Sequence, residues 1–568
     1  MLLGVGRRGT SFAVLSLYCA TSVLLFGWAL WPHPGRGTVG LIPDPEIFIW
    51  SLAWWAHALT TFMNPFVTNV VYYPTGVNLM WTASGQGLAL VLIPLTLLVG
   101  PTAAYNIAML LLPGLGAWTA FRLCRCLSGS TWGSIVGGYL FGFSGYVVAH
   151  VYGGDLNLCL FLAPLAALAV LRYLRGDLRA RGLVWRLGLI LAFQYTISTE
   201  LALTMTLAIA AGLLIGLAVV PRRRREIVSA LPVIVGAYAV AALLAAPFIV
   251  YTLKGYESGT FVNDPNDDLL NFVIPTRLIA AGGSTFAATT GHFATTIVDS
   301  DLYIGIPTLA IIGLYGWRRR QDAAARFLIV SFLIACLFAL GSPLRIDGHR
   351  FFELPWGLLA RLPLIPNAIP GRLAEYVSLS AAVAVSLWIA SAAGRFLARP
   401  VVLPVLALAS ILPATWNLSF VSHPPRPAFF SQKIYKICIP RGETLLVFPY
   451  ARFGDSMLYQ AESGFWFKLS EGNLGRDTYP PSFVFADPTV TALQFYYYGP
   501  GPRPTMAALK TYAKRRHVDR VVTLQTSPYP SGVQMHAFGP LQVLGGVLVA
   551  PACGYNSLAG DTRRIPGQ

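Results

Sequence analysis

A chain of 568 residues that is 55% hydrophobic and only 11% charged departs from the roughly 25% charged content of soluble globular domains. Lipid is therefore its main solvent, and an ordinary cytosolic enzyme is excluded. The formal net charge of +17 does not point to nucleic acid, because the arginines stand in short clusters between apolar runs, the pattern that sets membrane topology.

Arg7 and Arg8 precede the apolar run Ser11 to Trp31. The run is longer than a signal-peptide core and lacks a small-x-small cleavage site, so it reads as a retained first helix. A long outer loop, from about 32 to 84, follows. Within it Asp44-Pro45-Glu46 precedes Ile47 to Phe62, whose Trp50, Trp54, Trp55 and His57 suit a helix lying in the membrane interface. The apolar stretch Gly85 to Gly100 reads as a re-entrant or interfacial segment, because a full span there would break the alternation of arginine clusters.

Further apolar runs recur at 102–121, 131–149, 158–174, 184–199, 201–220, 229–251, 303–317, 326–342, 374–393 and 400–418. With the first helix they give about eleven spans of the length that crosses a bilayer. Arg122/Arg125, Arg172 to Arg186, Arg222 to Arg225, Arg318 to Arg320 with Arg326, and Arg395/Arg399 then fall in alternate loops. The N-terminus is accordingly cytoplasmic, and everything after about residue 420 lies outside. The fold class expected is an α-helical polytopic membrane protein, residues 1–420, followed by a small extracytoplasmic α/β domain, 421–568. In that domain Thr444 to Pro449 and Val518 to Leu524 read as strands, Pro504 to Arg516 as a basic amphipathic helix, and Tyr496 to Tyr498 as core aromatics of a strand or, with Pro500-Gly501-Pro502, as a recognition surface. Cys438 and Cys553 lie there too, where an oxidising compartment would let them pair. Cys124-x-Cys126 lacks the spacing and the second pair of a zinc site.

Ionisable groups at the edge of a membrane bundle that topology does not explain are functional candidates. Asp44 and Glu46 suit a general base or a cation site, and equally a helix start with Asp44 as N-cap and Pro45 in the first turn. His150 and Asp155 flank Gly153-Gly154 at an outer turn, where glycines permit close approach to a ligand, or simply a tight turn. Glu200 sits at the next outer turn, as a cap, an ion-pair partner of Lys254, or a site residue. Most of the ionisable groups of the loop 252–302, Asp264, Asp267, Asp268, Arg277, His292, Asp299 and Asp301, read as a solvated surface. Arg372 follows a Pro-rich segment at an outer helix mouth. With Arg345, Arg350 and Arg361 it suits a phosphate, or an ion pair with Glu353 or Glu375. The chain has no Walker loop, Gly-x-Ser-x-Gly or His-Glu-x-x-His motif, which argues against an ATPase and the common hydrolases.

Asp44-Pro45-Glu46 with the aromatic helix after it resembles the first outer loop of the GT-C class of lipid-linked-sugar glycosyltransferases. Tyr73-Pro74-Thr75-Gly76-Val77-Asn78, Leu140 to Tyr146, Ala149-His150 and Pro370-Gly371-Arg372 are similar to a bacterial multi-pass group within that class. The resemblance implies transfer of a sugar from a polyprenyl-phosphate donor to a glycan, lipid or protein acceptor outside a bacterial inner membrane. It implies Asp44 as the base, with Glu46 assisting it or joining it on a divalent cation such as Mg or Mn. It further implies that His57, His150, Asp155 and Glu200 line the substrate pocket and that Arg372 holds the donor phosphate. Adjacent acids are usual in the class, whereas here one residue separates Asp44 from Glu46. A flippase of lipid-linked saccharide and a non-catalytic envelope-assembly protein are the rival readings. Against the first, no internal repeat is visible and the acids gather at one interface.

Overall fold

A computed structural model describes residues 2–31, 35–41, 43–82, 84–158, 160–254, 266–300, 302–362, 365, 368–391, 401–474, 487–498, 501–527 and 529–553. Asp264, Asp301, Arg395 and Arg399 lie outside these. Taking chain order, the helices used below are α1 (Leu2–Phe26), α2 (Asp44–Thr60), α3 (Gln86–Val91), α4 (Ile93–Val99), α5 (Pro101–Ser128), α6 (Thr131–Gly142) and α7 (Gly145–Gly153). They continue with α8 (Leu162–Leu174), α9 (Ala180–Ile197), α10 (Thr199–Val219), α11 (Arg224–Leu244), α12 (Ala246–Lys254), α13 (Ile306–Arg318) and α14 (Ala323–Ala339). The last are α15 (Ala374–Ser391), α16 (Leu403–Ser410), α17 (Ser456–Glu462), α18 (Pro488–Tyr498) and α19 (Met506–Arg515).

Each long apolar run of the sequence carries a helix. Among the described residues, five helical segments are long and apolar enough to cross a membrane: Gly9–Phe26, Pro101–Ser128, Thr199–Val219, Pro221–Leu244 and Pro370–Ser391. The bent pair α6 and α7 makes a sixth if taken as one span, and α8 and α14 are shorter apolar helices. Gly85 to Gly100 forms two helices of 6 and 7 residues, α3 and α4. At 1.5 Å per residue neither crosses about 30 Å of hydrocarbon.

The chain divides into two compact units. The first comprises Met1–Leu41, Asn106–Ile249 and Thr260–Ser422. In it α9 packs on α8, α10 and α11, while α15 packs on α6, α13 and α14. The closeness of α6 to α15 depends on Gly133 and Gly137. A Cβ at either would lie 2.7 Å from Ser386 O or 2.8 Å from Ala382 O. Small residues four apart on one helix face allow this backbone approach, which lipid-solvated helices need because no hydrophobic force separates helix from tail.

The second unit comprises Ile42–Tyr105, Val250–Gly259 and His423–Gln568. Its centre is a five-stranded sheet of β1 (Thr444–Phe448), β2 (Lys468–Leu469), β3 (Arg520–Leu524), β4 (Gln542–Leu544) and β5 (Val547–Ala550), in the order β4-β5-β3-β1-β2. The pairs β1/β2 and β1/β3 are parallel, and β3/β5 and β4/β5 antiparallel. All five residues of β1 are buried, the continuous apolar pattern of a strand covered on both faces. Leu509 and Tyr512 of α19 join Leu446, Phe448, Val521 and Tyr529 in its core. Tyr496 belongs to α18, not to a strand, and packs against Tyr529 with ring centroids 5.3 Å apart. Cys438 and Cys553 form a disulfide with Cα atoms 5.0 Å apart.

Candidate active site

In the first unit the sequence builds a charged knot from four separate segments. Ser144 caps α7, and at its other end Gly154 takes a left-handed conformation, φ +90°, so that the Gly154 and Asp155 amides both donate to His150 O, at 2.8 and 3.0 Å. This closing turn brings Asp155 back against the ring it follows. Asp155 Oδ2 lies 3.1 Å from His150 Nδ1. The glycines at this turn serve backbone packing, because a Cβ on Gly40 would lie 2.3 Å from Gly154 Cα.

Arg372 sits in a 3₁₀ turn, Pro370–Leu373, leading into α15, and is only 8% exposed. Its Nη1 donates to His150 Nε2 at 2.8 Å. Arginine has no acceptor, so His150 must present a bare Nε2 and keep its proton on Nδ1, facing Asp155. Ser198 caps α10, and Glu200 in that helix's first turn accepts from Ile369 N at 2.7 Å. Its other oxygen stands 3.8 Å from Arg372 Nε. Asp299 Oδ1 lies 3.7 Å from Arg372 Nη2 while its Oδ2 accepts from Thr296 at 2.7 Å. Those two ion pairs are longer than hydrogen bonds, and Arg372 Nε has no hydrogen-bond acceptor among the described residues.

His150, Asp155, Glu200 and Arg372 are thus brought together. The partners of Arg372 are Glu200 and Asp299 rather than Glu353 or Glu375, and Glu200 meets Arg372 rather than Lys254. Arg350 and Arg361 are exposed, and Arg345 pairs with Arg350 in a short hairpin. Asp299 was missed, since nothing in its local sequence separates it from the other acids of its loop.

The second unit holds the acidic start of α2. Pro43 occupies the N-cap position, Asp44 is the first helical residue and Pro45 the second. Asp44 is therefore not the cap. At this position its charge meets the positive end of the helix, and Pro45 loses no hydrogen bond in the first turn. Residues two apart on a helix point about 200° apart, so Asp44 and Glu46 do not face each other. Glu46 is 2% exposed and meets Asp455, just before α17, instead. Burial pushes both carboxyl groups above the ordinary carboxylate range, Glu46 well above it.

The tryptophans of α2 face protein. Trp50, Trp54 and Trp55 are at most 2% exposed; Trp50 Nε1 donates to Gln460 Oε1 at 2.7 Å, and Phe465 stands edge-on to Trp50 and Trp54. His57 lies in the last turn of α2, about 20 Å along the axis from Asp44. Its ring is 4.9 Å from that of Phe465, and burial, with the charge of Arg441, lowers its basicity.

Among the described residues no group of three or more His, Cys, Asp or Glu side chains is disposed to hold a metal ion. The diverging Asp44 and Glu46 do not fit a shared divalent cation.

The fold is similar to that of an archaeal oligosaccharyltransferase. The chain superposes on the Archaeoglobus fulgidus oligosaccharyltransferase AglB in its apo form with a TM-score of 0.56 at 12% identity, over 90% of this chain and 69% of that one. The same protein with an inhibitory peptide and a dolichol-phosphate gives 0.52 at 12% identity, over 91% and 70%. With zinc and sulfate it gives 0.54 at 14% identity, over 90% and 68%. No family profile matches the chain, and no curated protein matches it in sequence.

Proposed function

We propose that the protein is a membrane glycosyltransferase that moves a sugar from a polyprenyl-phosphate donor to a glycan, lipid or protein acceptor. The observation that carries the reading is the buried Arg372, aimed by a hydrogen bond to His150 and with Nε left without a hydrogen-bond acceptor among the described residues. A guanidinium already stripped of water and fixed in orientation binds a phosphate oxygen without further ordering cost. The likeness to AglB, solved with a dolichol-phosphate in one structure and tethered to an acceptor peptide in another, supports a lipid-phosphate donor.

In this reading Asp44 takes the proton of the acceptor hydroxyl as its oxygen attacks the anomeric carbon. The bond from that carbon to the phosphate oxygen breaks, and polyprenyl phosphate leaves with the electron pair. Arg372 binds the charge that grows on the phosphate. Asp155 and Glu200 hold His150 and the Ile369 turn in place, and His57 belongs to a separate part of α2. No step is assigned to Mg or Mn.

We place about eleven apolar runs of the sequence across a bacterial inner membrane, N-terminus inside, with the C-terminal α/β domain outside. The disulfide between Cys438 and Cys553 supports an oxidising compartment for that domain. Binding of polyprenyl phosphate to the purified protein, compared with Arg372→Ala, tests the assignment. Binding unchanged in the variant removes Arg372 from the site.

A further inference from the structure

Two carboxyl groups meet inside the second unit without a counter-charge for each. Neither oxygen of Glu46 and not Oδ1 of Asp455 finds a donor among the described residues, and the two side chains are 2% and 5% exposed. The surrounding charges do not resolve this. Tyr459 on α17 stands 3.4 Å from Asp455 Oδ2, but its hydroxyl donates to Pro425 O at 2.8 Å. Arg426 attracts Asp455, yet its Nη1 is held by Glu462 at 2.6 and 2.7 Å. Helices α3 and α4, which also pack on α2, carry no titratable side chain, and Tyr105 of α5 stacks on Phe48 of α2 with ring centroids 6.5 Å apart. One guanidinium thus stands among three carboxyl groups. Two carboxylates in contact and out of water cannot both remain ionised.

We propose that Glu46 and Asp455 hold one proton between them, Glu46 donating to Asp455, and that this hydrogen bond clamps the first turn of α2 to the start of α17. Glu46 is then a positioning residue, not a cation ligand. In fixing the turn that carries Asp44 it rests on the transferase reading, whereas the shared proton stands without it. The folded pair binds its proton more tightly than the unfolded chain does. The clamp therefore stabilises at low pH and is lost as pH rises from the ordinary carboxylate range through the folded-state value.

Glutamine at position 46 keeps the shape and supplies an N–H where the protonated carboxyl donates. Thermal unfolding of the full chain in detergent, between about pH 5 and pH 9, compares wild type, Glu46→Gln and Asp455→Asn with and without Mg or Mn. The wild-type midpoint is expected to fall by about 3 °C or more as pH rises, while both variants stay flat and none responds to metal. A Glu46→Gln chain that fails to fold, or melts lower at every pH, overturns the proposal. So does a rise in the wild-type midpoint with Mg or Mn that Glu46→Gln abolishes. No turnover enters these readouts, so failure of the transferase reading leaves them intact. The positioning role is read separately, from an alkaline loss of transfer rate in wild type that Glu46→Gln shifts to higher pH.

Discussion

Replacing Arg372 separates its structural work from its work on a ligand. Alanine leaves Glu200 and Asp299, 3.8 and 3.7 Å from the guanidinium, facing an emptied buried position. Removing one partner of a buried ion pair costs about 3–5 kcal/mol. Lysine keeps the charge but not the fork, so His150 Nε2 loses the 2.8 Å bond it accepts, at about 1–3 kcal/mol for a buried group left unmade. Thermal unfolding should therefore rank wild type above Arg372→Lys and Arg372→Lys above Arg372→Ala. Donor binding should follow a second scale. A hydrogen bond to a charged group is worth about 1.5–3 kcal/mol, so titration with polyprenyl phosphate should show affinity roughly 10- to 140-fold weaker for Arg372→Lys at tenfold per 1.4 kcal/mol. An Arg372→Ala protein within 1 kcal/mol or so of wild type in stability, with undiminished donor binding, would refute both halves of the argument.

Gly40→Ala should destabilise by about 2 kcal/mol or more, because the residue sits at φ +94° and its Cβ would lie 2.3 Å from Gly154 Cα; the unfolding midpoint measures it. Cys438→Ser should cost about 2–5 kcal/mol and remove the sensitivity of the wild-type midpoint to reductant, an effect absent if the disulfide does not form. Trp50→Phe should cost about 1–3 kcal/mol, since Gln460 Oε1 loses the 2.7 Å bond from the indole while remaining buried.

The helices were legible because lipid imposes length and hydropathy on each run separately, and Asp44-Pro45 marked the start of α2 through the local chemistry of proline. What escaped was tertiary. The tryptophans of α2 suited an interface by composition, but Phe465 and Gln460, from the far end of the chain, cover them. Asp455 and Asp299 carry no local signal, because each is defined by a partner distant in sequence. The paired glycines 153 and 154 suggested approach to a ligand, whereas the backbone of Gly40 takes that space at Gly154 and the Val298 side chain takes it at Gly153. His150, Asp155, Glu200 and Arg372 could be picked out singly, as charges at outer helix ends. Their convergence needed the fold.

The most direct measurement is transfer of labelled sugar from a polyprenyl-phosphate donor by purified wild type and Asp44→Asn. Proton transfer by a placed carboxylate contributes about 10²- to 10⁴-fold to rate, so the variant should bind donor as wild type does and turn over more slowly by that factor. Equal turnover in the two proteins, or donor bound by both and consumed by neither, would contradict the account.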